Sequence, residues 1–423
     1  MSSITIAGSV EPATGEVTLS GAKNAALKVL AASVLAEEDV VLDNMPLNIR
    51  DVRIKLQMLR AMGARIEERG ALGVRISWPA SGPSSEIPGR FGSVRTSLLL
   101  LGALLGRTGR GSVPLPGGCR IGPRKHDMHI MALESLGAVC RERGDRLEAR
   151  AKSLTGGRIV FPFRTTGGTE NAILAAVRAR GRTLLCNAHT RPEVMDLIRF
   201  LNCLGARISV LGSGLIEIEG VDRLGGGRYS IIYDNVEAMT FAVFAAITKG
   251  RISIRHFPAE DLEVPMIYLR ESGVRFRREG DCLVVERPGL LTPFDLSTGT
   301  YPGVNSDIQP LFAALASQAE GETRITDIRF RDRFQYVAEL GKLGARISVR
   351  GNTVIVSGPC ALRGAEVNAT DLRGGAALVA AALVAEGPTT IRSAEQIDRG
   401  YEDLAGKLAA VGVRVNRRHR AAA

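Results

Sequence analysis

The chain has 423 residues and a formal net charge of +11, and this length exceeds what one hydrophobic core usually organises, so two domains are expected. Hydrophobic residues make up 45% and charged residues 23% of the chain, a globular composition that excludes a disordered protein. The basic residues are spread over the whole chain without stacking-aromatic motifs, which favours small anionic substrates over nucleic acid as partners.

Membrane segments and metal sites find no support in the sequence. The longest apolar run, at residues 97–105, is far shorter than the ~18 residues of a membrane span, and no N-terminal signal peptide is apparent. We therefore expect a cytoplasmic protein without membrane contact. No cysteine has metal-ligand spacing, and we interpret the six as reduced and mostly buried: Cys119, Cys140, Cys186, Cys203, Cys282 and Cys360.

The first predicted elements are a strand at residues 3–6 and a helix within LSGAKNAALKVLAASVLA at 19–36. The strand has no helix of its own before it, so it could pair with C-terminal strands and close the second domain. Lys23 and Asn24 fall in the first turn of the helix, where a cation opposes the helix dipole. The lysine is either solvated or, together with the helix N-terminus, holds an anion such as phosphate.

A repeated motif organises the rest of the chain. An amphipathic helix ends at a glycine and a strand begins, as in MGARI at 62–66 and LGARI at 204–208. This glycine recurs six times, every 68 to 74 residues, which predicts repeated units rather than unrelated α/β elements. Three units in each of two α/β domains would leave the cleft between the domains as the expected ligand site.

The most unusual stretch is LPGGCRIGPRKHD at 115–127, which includes Asp127. Its prolines and glycines indicate a loop that can deform, and Arg120, Arg124 and Lys125 surround Cys119. Neighbouring cations favour the thiolate form of a cysteine. The stretch is therefore either a mobile lid with an acid/base thiol or a structural turn with an inert cysteine.

Further candidates lie in loops that lead into predicted helices. NSDIQ offers Asp307 as a possible general base, and RFRDRF offers Arg333. TDLRGG and IDRGYE each carry an Asp-Arg element, which is either a surface ion pair or an anion clamp, since arginine presents planar donors to carboxylates and phosphates. Individually each motif is weak. No phosphate-binding GxxxxGK[ST] loop and no GxSxG nucleophile turn are present.

In combination and in this order, LSGAKNAAL, PGGC, EGVDRLGGG, ATDLR and IDRGYE resemble the enolpyruvyl transferase family over nearly the whole chain. The resemblance is greatest to the branch that acts on UDP-N-acetylglucosamine. It implies two inside-out α/β barrels of three repeated units each, formed by residues 22–229 and by residues 1–21 with 230–423. No heptad repeat or exposed apolar strip stands out in the sequence, so we expect a monomer, and we expect neither a cofactor nor a metal.

The resemblance implies roles for individual residues. Lys23, Arg124 and Arg399 would grip the phosphate of phosphoenolpyruvate, while Arg333 and Arg373 would bind its carboxylate. Asp307 would lie close to the reacting hydroxyl of the uridine nucleotide sugar, and Cys119 would protonate phosphoenolpyruvate or form an adduct with it. The other residues expected to bind substrate are Asn24, Arg95, Asp127, Thr165, Thr166, Gly167, Arg329 and Asp371.

Several positions depart from the family pattern on the acceptor side. Phe163 stands where a basic residue is expected, Arg191 replaces an acidic one, Ser306 replaces threonine, and Arg329 lies where the family tends to be apolar. The acceptor is therefore either UDP-N-acetylglucosamine or, in a paralogue of nucleoside-antibiotic synthesis, UMP or a related uridine nucleotide. A catalytically silent binding protein is a third hypothesis, against which the retained lysine, cysteine and arginines argue.

Overall fold

The computed structural model describes residues 2–8, 11–92, 95–115, 126–330 and 332–418. Within these ranges the chain forms twelve α-helices: α1 Lys23–Ala32, α2 Arg50–Ala61, α3 Ser97–Thr108, α4 Asp127–Glu134, α5 Thr166–Ala176, α6 Pro192–Cys203, α7 Asn235–Ile247, α8 Glu263–Glu271, α9 Gln309–Ala316, α10 Gln335–Lys342, α11 Leu372–Ala382 and α12 Leu404–Ala410. Four short 3₁₀ helices lie at Ser33–Leu35, Gly89–Phe91, Ala259–Asp261 and Ala394–Arg399.

Strands alternate with these helices along the described ranges. The first twelve are β1 Ser3–Ile6, β2 Thr14–Thr18, β3 Val40–Asp43, β4 Arg65–Glu68, β5 Val74–Ser77, β6 Arg110–Pro114, β7 Val139–Arg143, β8 Arg146–Arg150, β9 Arg158–Val160, β10 Arg182–Cys186, β11 Arg207–Gly212 and β12 Leu215–Glu219. The others are β13 Gly227–Ser230, β14 Arg251–Arg255, β15 Phe276–Glu279, β16 Cys282–Val285, β17 Asp295–Ser297, β18 Gly321–Thr326, β19 Ile347–Arg350, β20 Thr353–Gly358, β21 Glu366–Asn368, β22 Thr389–Arg392 and β23 Val415–Arg418.

The described residues fall into two compact units. The first unit comprises residues 21–232, and the second comprises residues 2–20 and 233–418. The first unit contains three sheets, with strand orders β13-β3-β5-β4, β6-β8-β7 and β11-β12-β10-β9. The second unit also contains three, with orders β15-β16-β14-β2, β17-β18-β20-β19 and β21-β22-β1-β23.

Each four-stranded sheet has the same arrangement of strand directions. A parallel pair, such as β9 with β10 or β17 with β18, is followed by two antiparallel strands. The three-stranded sheet is antiparallel throughout, and only a single parallel bridge, between Glu86 and Ser112, stands where the other sheets have a fourth strand.

The core of each unit consists of buried, alanine- and leucine-rich helices. In the first unit α3 packs against α1 and α5, and in the second unit α7, α9 and α11 pack against one another. All residues of α7, α9 and α11 are buried. A helix that is apolar on all sides belongs inside a core, and the small alanine side chains let these helices approach one another closely.

The predicted pairing of the N-terminal strand with C-terminal strands is confirmed. Strand β1 lies between β22 and β23, antiparallel to both, with Ile6 opposite Thr389 and Val415. The stretch ARISVRGNTVIVSG at 345–358, whose alternating residues on both sides of Gly-Asn predict a hairpin, forms one, because β19 pairs with β20 across the Gly351-Asn352 turn. The repeated glycines all adopt positive φ, as expected for helix ends: Gly63, Gly137, Gly205, Gly273, Gly344 and Gly412.

The expectation that the cysteines are mostly buried is wrong for those that the structure describes. Only Cys360 is buried; Cys140, Cys186 and Cys282 are partly exposed, and Cys203 is exposed. Cys186, Cys203 and Cys282 lie at element ends, and Cys140 lies on the inner face of β7 at the edge of the core, which spacing along the chain does not reveal. No disulfide joins any of the five described cysteines. In the described ranges no helix is long and apolar enough to cross a bilayer.

Candidate functional site

Three predicted residues from distant parts of the chain meet in the second unit. Asp307 lies in the loop before α9, Arg333 in the loop before α10, and Arg373 in the first turn of α11. Nη1 of Arg333 donates a hydrogen bond of 2.5 Å to Oδ1 of Asp307. Nε of Arg373 lies 3.6 Å from Oδ2 of the same carboxylate. One partly exposed carboxylate is therefore held between two buried guanidinium groups.

Of these three side chains, Arg373 has the fewest hydrogen-bond partners. Its side chain is 1% exposed, and none of its guanidinium nitrogens has a hydrogen-bond partner among the described residues. A buried cation with unused donors is costly unless an acceptor completes it. Its guanidinium lies over the ring of Tyr401, 5.1 Å from the ring centre, which gives it a cation–π contact.

The segment that carries Arg399 packs on the same guanidinium. A Cβ atom built on Gly400 would lie 2.4 Å from Cδ1 of Leu372 and 3.2 Å from Nη1 of Arg373, so glycine lets the backbone pass close to both side chains. Arg399 itself donates to Oε1 of Gln396 at 3.3 Å. The hydroxyl of Tyr401 bonds Oγ1 of Thr240 at 2.9 Å, which fixes the ring beneath Arg373. Arg399 therefore directly precedes Gly400 and Tyr401, the two residues of this segment that lie against Arg373.

Asp371 is not a surface ion pair but the N-cap of α11. Its Oδ1 accepts hydrogen bonds from the backbone N–H of Arg373 at 2.8 Å and of Gly374 at 3.2 Å. The cap satisfies two of the N–H groups that a helix start leaves unpaired and so fixes where α11 begins. Burial alone would lower the pKa of Arg333, but the charges of Asp307 and Asp371 outweigh it and raise this pKa. Arg333 therefore stays cationic.

A buried carboxylate that the sequence did not single out, Asp327, organises the loops around Asp307. Oδ1 of Asp327 accepts from Oγ1 of Thr298 at 3.0 Å and from the backbone N–H groups of residues 329 and 330 at 2.9 and 3.0 Å. Its Oδ2 accepts a short hydrogen bond from Oγ of Ser306. Nη1 of Arg333 donates to the same hydroxyl at 3.3 Å. One carboxylate therefore links both loops that hold Asp307 and Arg333.

Arg329 lies at the edge of this group. Its backbone N–H is held by Asp327, and its guanidinium lies 5.6 Å from the centre of the Phe330 ring. Arg333 contacts the same ring from 5.9 Å. The position that departs from the apolar family pattern therefore carries a partly exposed cation.

In the first unit, the predicted lysine at the start of α1 is buried and paired. Nζ of Lys23 lies 2.8 Å from Oδ2 of Asp51 at the start of α2, and both side chains are less than one-tenth exposed. Asn24 follows it and is partly exposed. The alternative of a solvated lysine is therefore excluded, although its ion pair is with a carboxylate of the chain itself.

Thr165, Thr166 and Gly167 open α5. Oγ1 of Thr165 caps the helix by accepting from the N–H of residue 168 at 3.3 Å. Gly167 lies against the ring of His129 on α4, since a Cβ built on it would fall 2.5 Å from Nε2. Asp127, the first residue of α4, is exposed.

His129 is a buried neutral imidazole. Burial, followed by the charges of Arg95 and His126, lowers its pKa to about 3. Its Nδ1 lies 3.2 Å from Nδ2 of Asn171, an amide donor, which assigns the ring proton to Nε2 on the side of Gly167. The structure thus brings Arg95 and Gly167 to the surroundings of one ring that the sequence did not point to.

Phe163 and Arg191, two of the positions that depart from the family pattern, lie in the first unit. The side chain of Phe163 is 57% exposed, so it is not a core residue. Arg191 makes a bidentate pair with the buried Glu193, at 2.6 and 2.7 Å. Burial raises the pKa of Glu193, but the charges of Arg191 and Lys28 and the hydrogen bonds to this carboxylate together outweigh burial and lower the pKa. Cys119 and Arg124 lie outside the described residues.

The functional candidates that sequence reasoning missed share one property. Asp51, Asp327, Tyr401 and His129 carry no motif of their own, and each is buried against a predicted residue. A sequence signal exists only for Tyr401, which follows the Asp-Arg element within IDRGYE. The partners of Asp51 and His129 lie more than twenty residues away along the chain, and Asp327 joins the nearby loop at 329–330 to Thr298 and Ser306, which precede it by 29 and 21 residues.

Comparisons with known proteins cover nearly the whole chain. The family model described as EPSP synthase (3-phosphoshikimate 1-carboxyvinyltransferase) matches residues 8–408. The UDP-N-acetylglucosamine 1-carboxyvinyltransferase of Solidesulfovibrio magneticus is 42% identical over 408 residues, which cover 96% of this chain and 97% of the relative. That of Sorangium cellulosum is 43% identical over 415 residues, which cover 97% of each.

A solved structure extends the similarity to three dimensions. The crystal structure of the enolpyruvyl transferase NikO from Streptomyces tendae superposes with a TM-score of 0.89 at 27% sequence identity. The superposition covers 99% of each chain, so the mixed α/β architecture described above is that of this transferase from end to end.

Proposed function

We propose that this chain, which belongs to the enolpyruvyl transferase family of EPSP synthase (3-phosphoshikimate 1-carboxyvinyltransferase), transfers the 1-carboxyvinyl group of phosphoenolpyruvate to the 3-hydroxyl of UDP-N-acetylglucosamine. The products are the enol ether and phosphate, at the entry to peptidoglycan precursor synthesis. Two curated relatives at 42% and 43% identity that carry this activity in their names support the choice of acceptor.

The observation that carries the proposal is the group formed by Asp307, Arg333 and Arg373. The buried guanidinium of Arg373 has no hydrogen-bond partner in the described part of the chain, and the carboxylate of phosphoenolpyruvate would supply the missing acceptors. Asp307, held 2.5 Å from Arg333, has its carboxylate partly exposed and can take a proton from an acceptor hydroxyl. Anion binding and a candidate base thus occur side by side.

The remaining predicted residues receive the following roles in the proposal. Lys23, Arg124 and Arg399 bind the phosphate of phosphoenolpyruvate, and Arg95 assists them. Asn24, Arg329 and Asp371 contribute to substrate binding in their neighbourhoods. Thr165, Thr166 and Gly167 offer the N-terminus of α5, which suits a nucleotide phosphate, and Asp127 lies at the start of the helix packed against it.

The atoms and protons of the proposed reaction balance without a metal or a cofactor. Cys119, as the expected acid, adds a proton to the methylene carbon of phosphoenolpyruvate, while Asp307 takes the proton of the hydroxyl that attacks the neighbouring carbon. The resulting tetrahedral ketal then loses a methyl proton and phosphate to leave the enol ether. Arginine side chains fixed before the reaction stabilise the charge that moves during both steps.

We also propose the finer architecture that the resemblance implies. Each unit would be an inside-out barrel of three repeats, with domains of 22–229 and of 1–21 plus 230–423. The strand arrangement common to the four-stranded sheets and the buried helices support this organisation. The proposed protein is a cytoplasmic monomer that acts on small molecules and binds neither nucleic acid nor membrane. Size-exclusion chromatography with light scattering measures the oligomeric state.

The deciding experiment measures phosphate release from phosphoenolpyruvate with three acceptors in parallel: UDP-N-acetylglucosamine, UMP and shikimate 3-phosphate. We expect rapid release with UDP-N-acetylglucosamine alone. The Cys119→Ser and Asp307→Asn variants should each be strongly impaired, about 100-fold or more in kcat, because each removes a proton-transfer group. Release with none of the three acceptors would overturn the proposal.

UMP, or a related uridine nucleotide, is the second candidate acceptor. The departures at Phe163, Arg191 and Arg329 favour it, since Arg191 is engaged by a buried glutamate and Phe163 presents an exposed apolar surface. Phosphate release with UMP and none with UDP-N-acetylglucosamine would reverse the ranking.

A further inference from the structure

We propose that the outward face of the β6-β8-β7 sheet in the first unit binds a small oligophosphate anion. The strand register places Arg110 directly opposite Arg150, with Val139 on the far side of Arg150. The next outward row holds Ser112, Glu148 and Arg141. Directly opposed like charges on neighbouring strands are unfavourable, so two facing arginines call for an anion between them.

This face carries a groove and not a flat surface. Its volume is about 380 Å³, within the size range of small-ligand sites. Four arginines and two glutamates give it a positive balance: Arg110, Arg141, Arg143, Arg150, Glu86 and Glu148.

The glutamates do not neutralise the facing arginines. Glu148 lies 3.6 Å from Arg143, and Glu86 lies 3.5 Å from Arg146. No side-chain hydrogen bond or ion pair of Arg110, Arg141 or Arg150 occurs within the part of the chain that the structure describes. Three guanidinium groups on adjacent strands therefore keep their donors available to a ligand.

The other sheets of the molecule provide an internal comparison. On the neighbouring sheet Arg182 pairs with Glu217 at 3.4 Å, and Arg207 pairs with Glu219 at 2.7 Å. In the second unit, strand arginines likewise lie against carboxylates, as Arg392 does against Glu366. Strand arginines in the described part of this protein are thus often paired with a carboxylate, and the β6-β8-β7 sheet is where arginines face each other instead, Arg110 opposite Arg150 and Arg143 opposite Arg146. Arg143 and Arg146 each lie near a glutamate, so Arg110 and Arg150 are the pair that an anion would serve.

The chemistry of the groove selects the ligand class. Guanidinium groups bind phosphates through paired, planar donors, and cross-strand neighbours lie about 5 Å apart, which suits linked phosphates with several charges. No aromatic side chain is among the described residues that line the groove, so a nucleobase would find no stacking partner. A short phosphate chain fits better than an extended acidic peptide, because the groove is confined to three short strands.

The experiment titrates inorganic tripolyphosphate into the full-length protein by isothermal calorimetry at low salt, with saturating phosphoenolpyruvate present to occupy other anion sites. We expect one binding event that weakens at high salt, because the arginines are exposed. The double variant Arg110→Gln/Arg150→Gln should lose affinity by about tenfold or more, since charge-assisted hydrogen bonds disappear. Arg182→Gln, on the neighbouring sheet, is the matched control and should bind as the unchanged protein does.

Transferase kcat and KM should be the same in all three proteins, because none of the three substituted arginines belongs to the proposed catalytic group. Absence of tripolyphosphate binding, or equal binding by the double variant, would overturn the proposal without touching the transferase assignment. Tighter binding of a poly-glutamate peptide that depends on Arg110 and Arg150 would also overturn it and identify the face as a docking surface for an acidic protein.

Discussion

At the scale of single residues, the described site depends on charges that are buried together. Arg333 and Arg373 are almost fully shielded from solvent and share one carboxylate, that of Asp307. Removing one partner from such a group leaves an uncompensated charge and destabilises the fold as well as the chemistry. Asparagine, which keeps the shape and one acceptor oxygen, is therefore the informative substitution at Asp307.

Asp327 is predicted to position Asp307 without taking part in the reaction. The Asp327→Asn variant keeps one acceptor oxygen but replaces the other with an amide donor, so the hydroxyl of Ser306 or the loop at 329–330 loses its acceptor. We expect kcat to fall by about 100-fold, since a small misplacement of a catalytic group has that effect. The free energy of unfolding should fall by about 1–3 kcal/mol.

Steady-state kinetics below the unfolding transition separate the two effects. Asp332→Asn, on the same loop but exposed, is the matched control and should leave both quantities unchanged. A destabilised Asp327→Asn enzyme with normal kcat would reduce Asp327 to a structural residue.

The buried Lys55 on α2 makes stability depend on pH. Desolvation by burial lowers its pKa from 10.5 to about 7, and its Nζ donates to the carbonyl oxygen of Thr96 at 2.8 Å. Between these two values the unfolded chain binds the proton and the folded chain does not, so the lysine destabilises the fold near neutrality and this penalty disappears as the pH rises toward 10.5.

Urea unfolding at about pH 7.5 and about pH 9.5 tests this effect. The unchanged protein should gain about 2.5 kcal/mol more than Lys55→Met over that interval, as expected for one proton over two pH units. The exposed Lys152→Met variant should show the same gain as the unchanged protein. Equal gains for all three would mean that Lys55 has an ordinary pKa.

The site could be predicted from the sequence only where a motif marks it. Asp307, Arg333 and Arg373 each stand in a short, recognisable stretch, and the structure brings them together. Asp327 could not be predicted, because it belongs to no motif and an aspartate directly after a strand is typical of an ordinary solvated turn. Its burial results from two loops folding over the end of β18, which local patterns do not encode.

At the scale of elements, strand β1 shows how much one short segment contributes. It is an inner strand of its sheet and pairs along its length with β22 and β23. Ile6 is fully buried, so Ile6→Ala should lower the free energy of unfolding by about 3 kcal/mol through the lost burial and the cavity left behind.

Thr5→Ala is the control for that substitution. Thr5 lies on the opposite face of the strand and bonds only the hydroxyl of Thr390, at 3.2 Å, so its loss should lower the free energy of unfolding by less than about 1 kcal/mol. Urea midpoints for both variants decide the point. Equal effects would mean that β1 does not contribute through its buried face.

Sequence patterns predicted helix ends and turns better than they predicted which neighbours pack against each element. The glycine-ended helices and the hairpin of β19 and β20 follow from local chemistry, because positive φ and period-two alternation are properties of short segments. The missing fourth strand beside β6 and the exposure of Cys203 follow from which neighbour covers each edge. That information is distributed over the whole fold.

At the scale of the whole molecule, the net charge of +11 should influence substrate capture. A positive field attracts a trianion from solution, and salt screens it with a Debye length of about 10 Å at 0.1 M. We expect the KM for phosphoenolpyruvate to rise several-fold when KCl is raised from low to high concentration, while kcat changes little. Initial rates at matched osmolarity measure this, and a KM that does not respond to salt would contradict it.

The sheet that contains β1 can form only late in the translation of the chain. Ser3 to Ile6 leave the ribosome long before their partners in β22 and β23, which are translated close to four hundred residues later. Residues 21–232 can collapse while translation continues, whereas β1 can complete its pairing only after β23 has been made. A nascent chain of this protein therefore exposes the unpaired Ile4 and Ile6 of β1 while the residues between β1 and β22 are made, and we expect a chaperone to bind that segment.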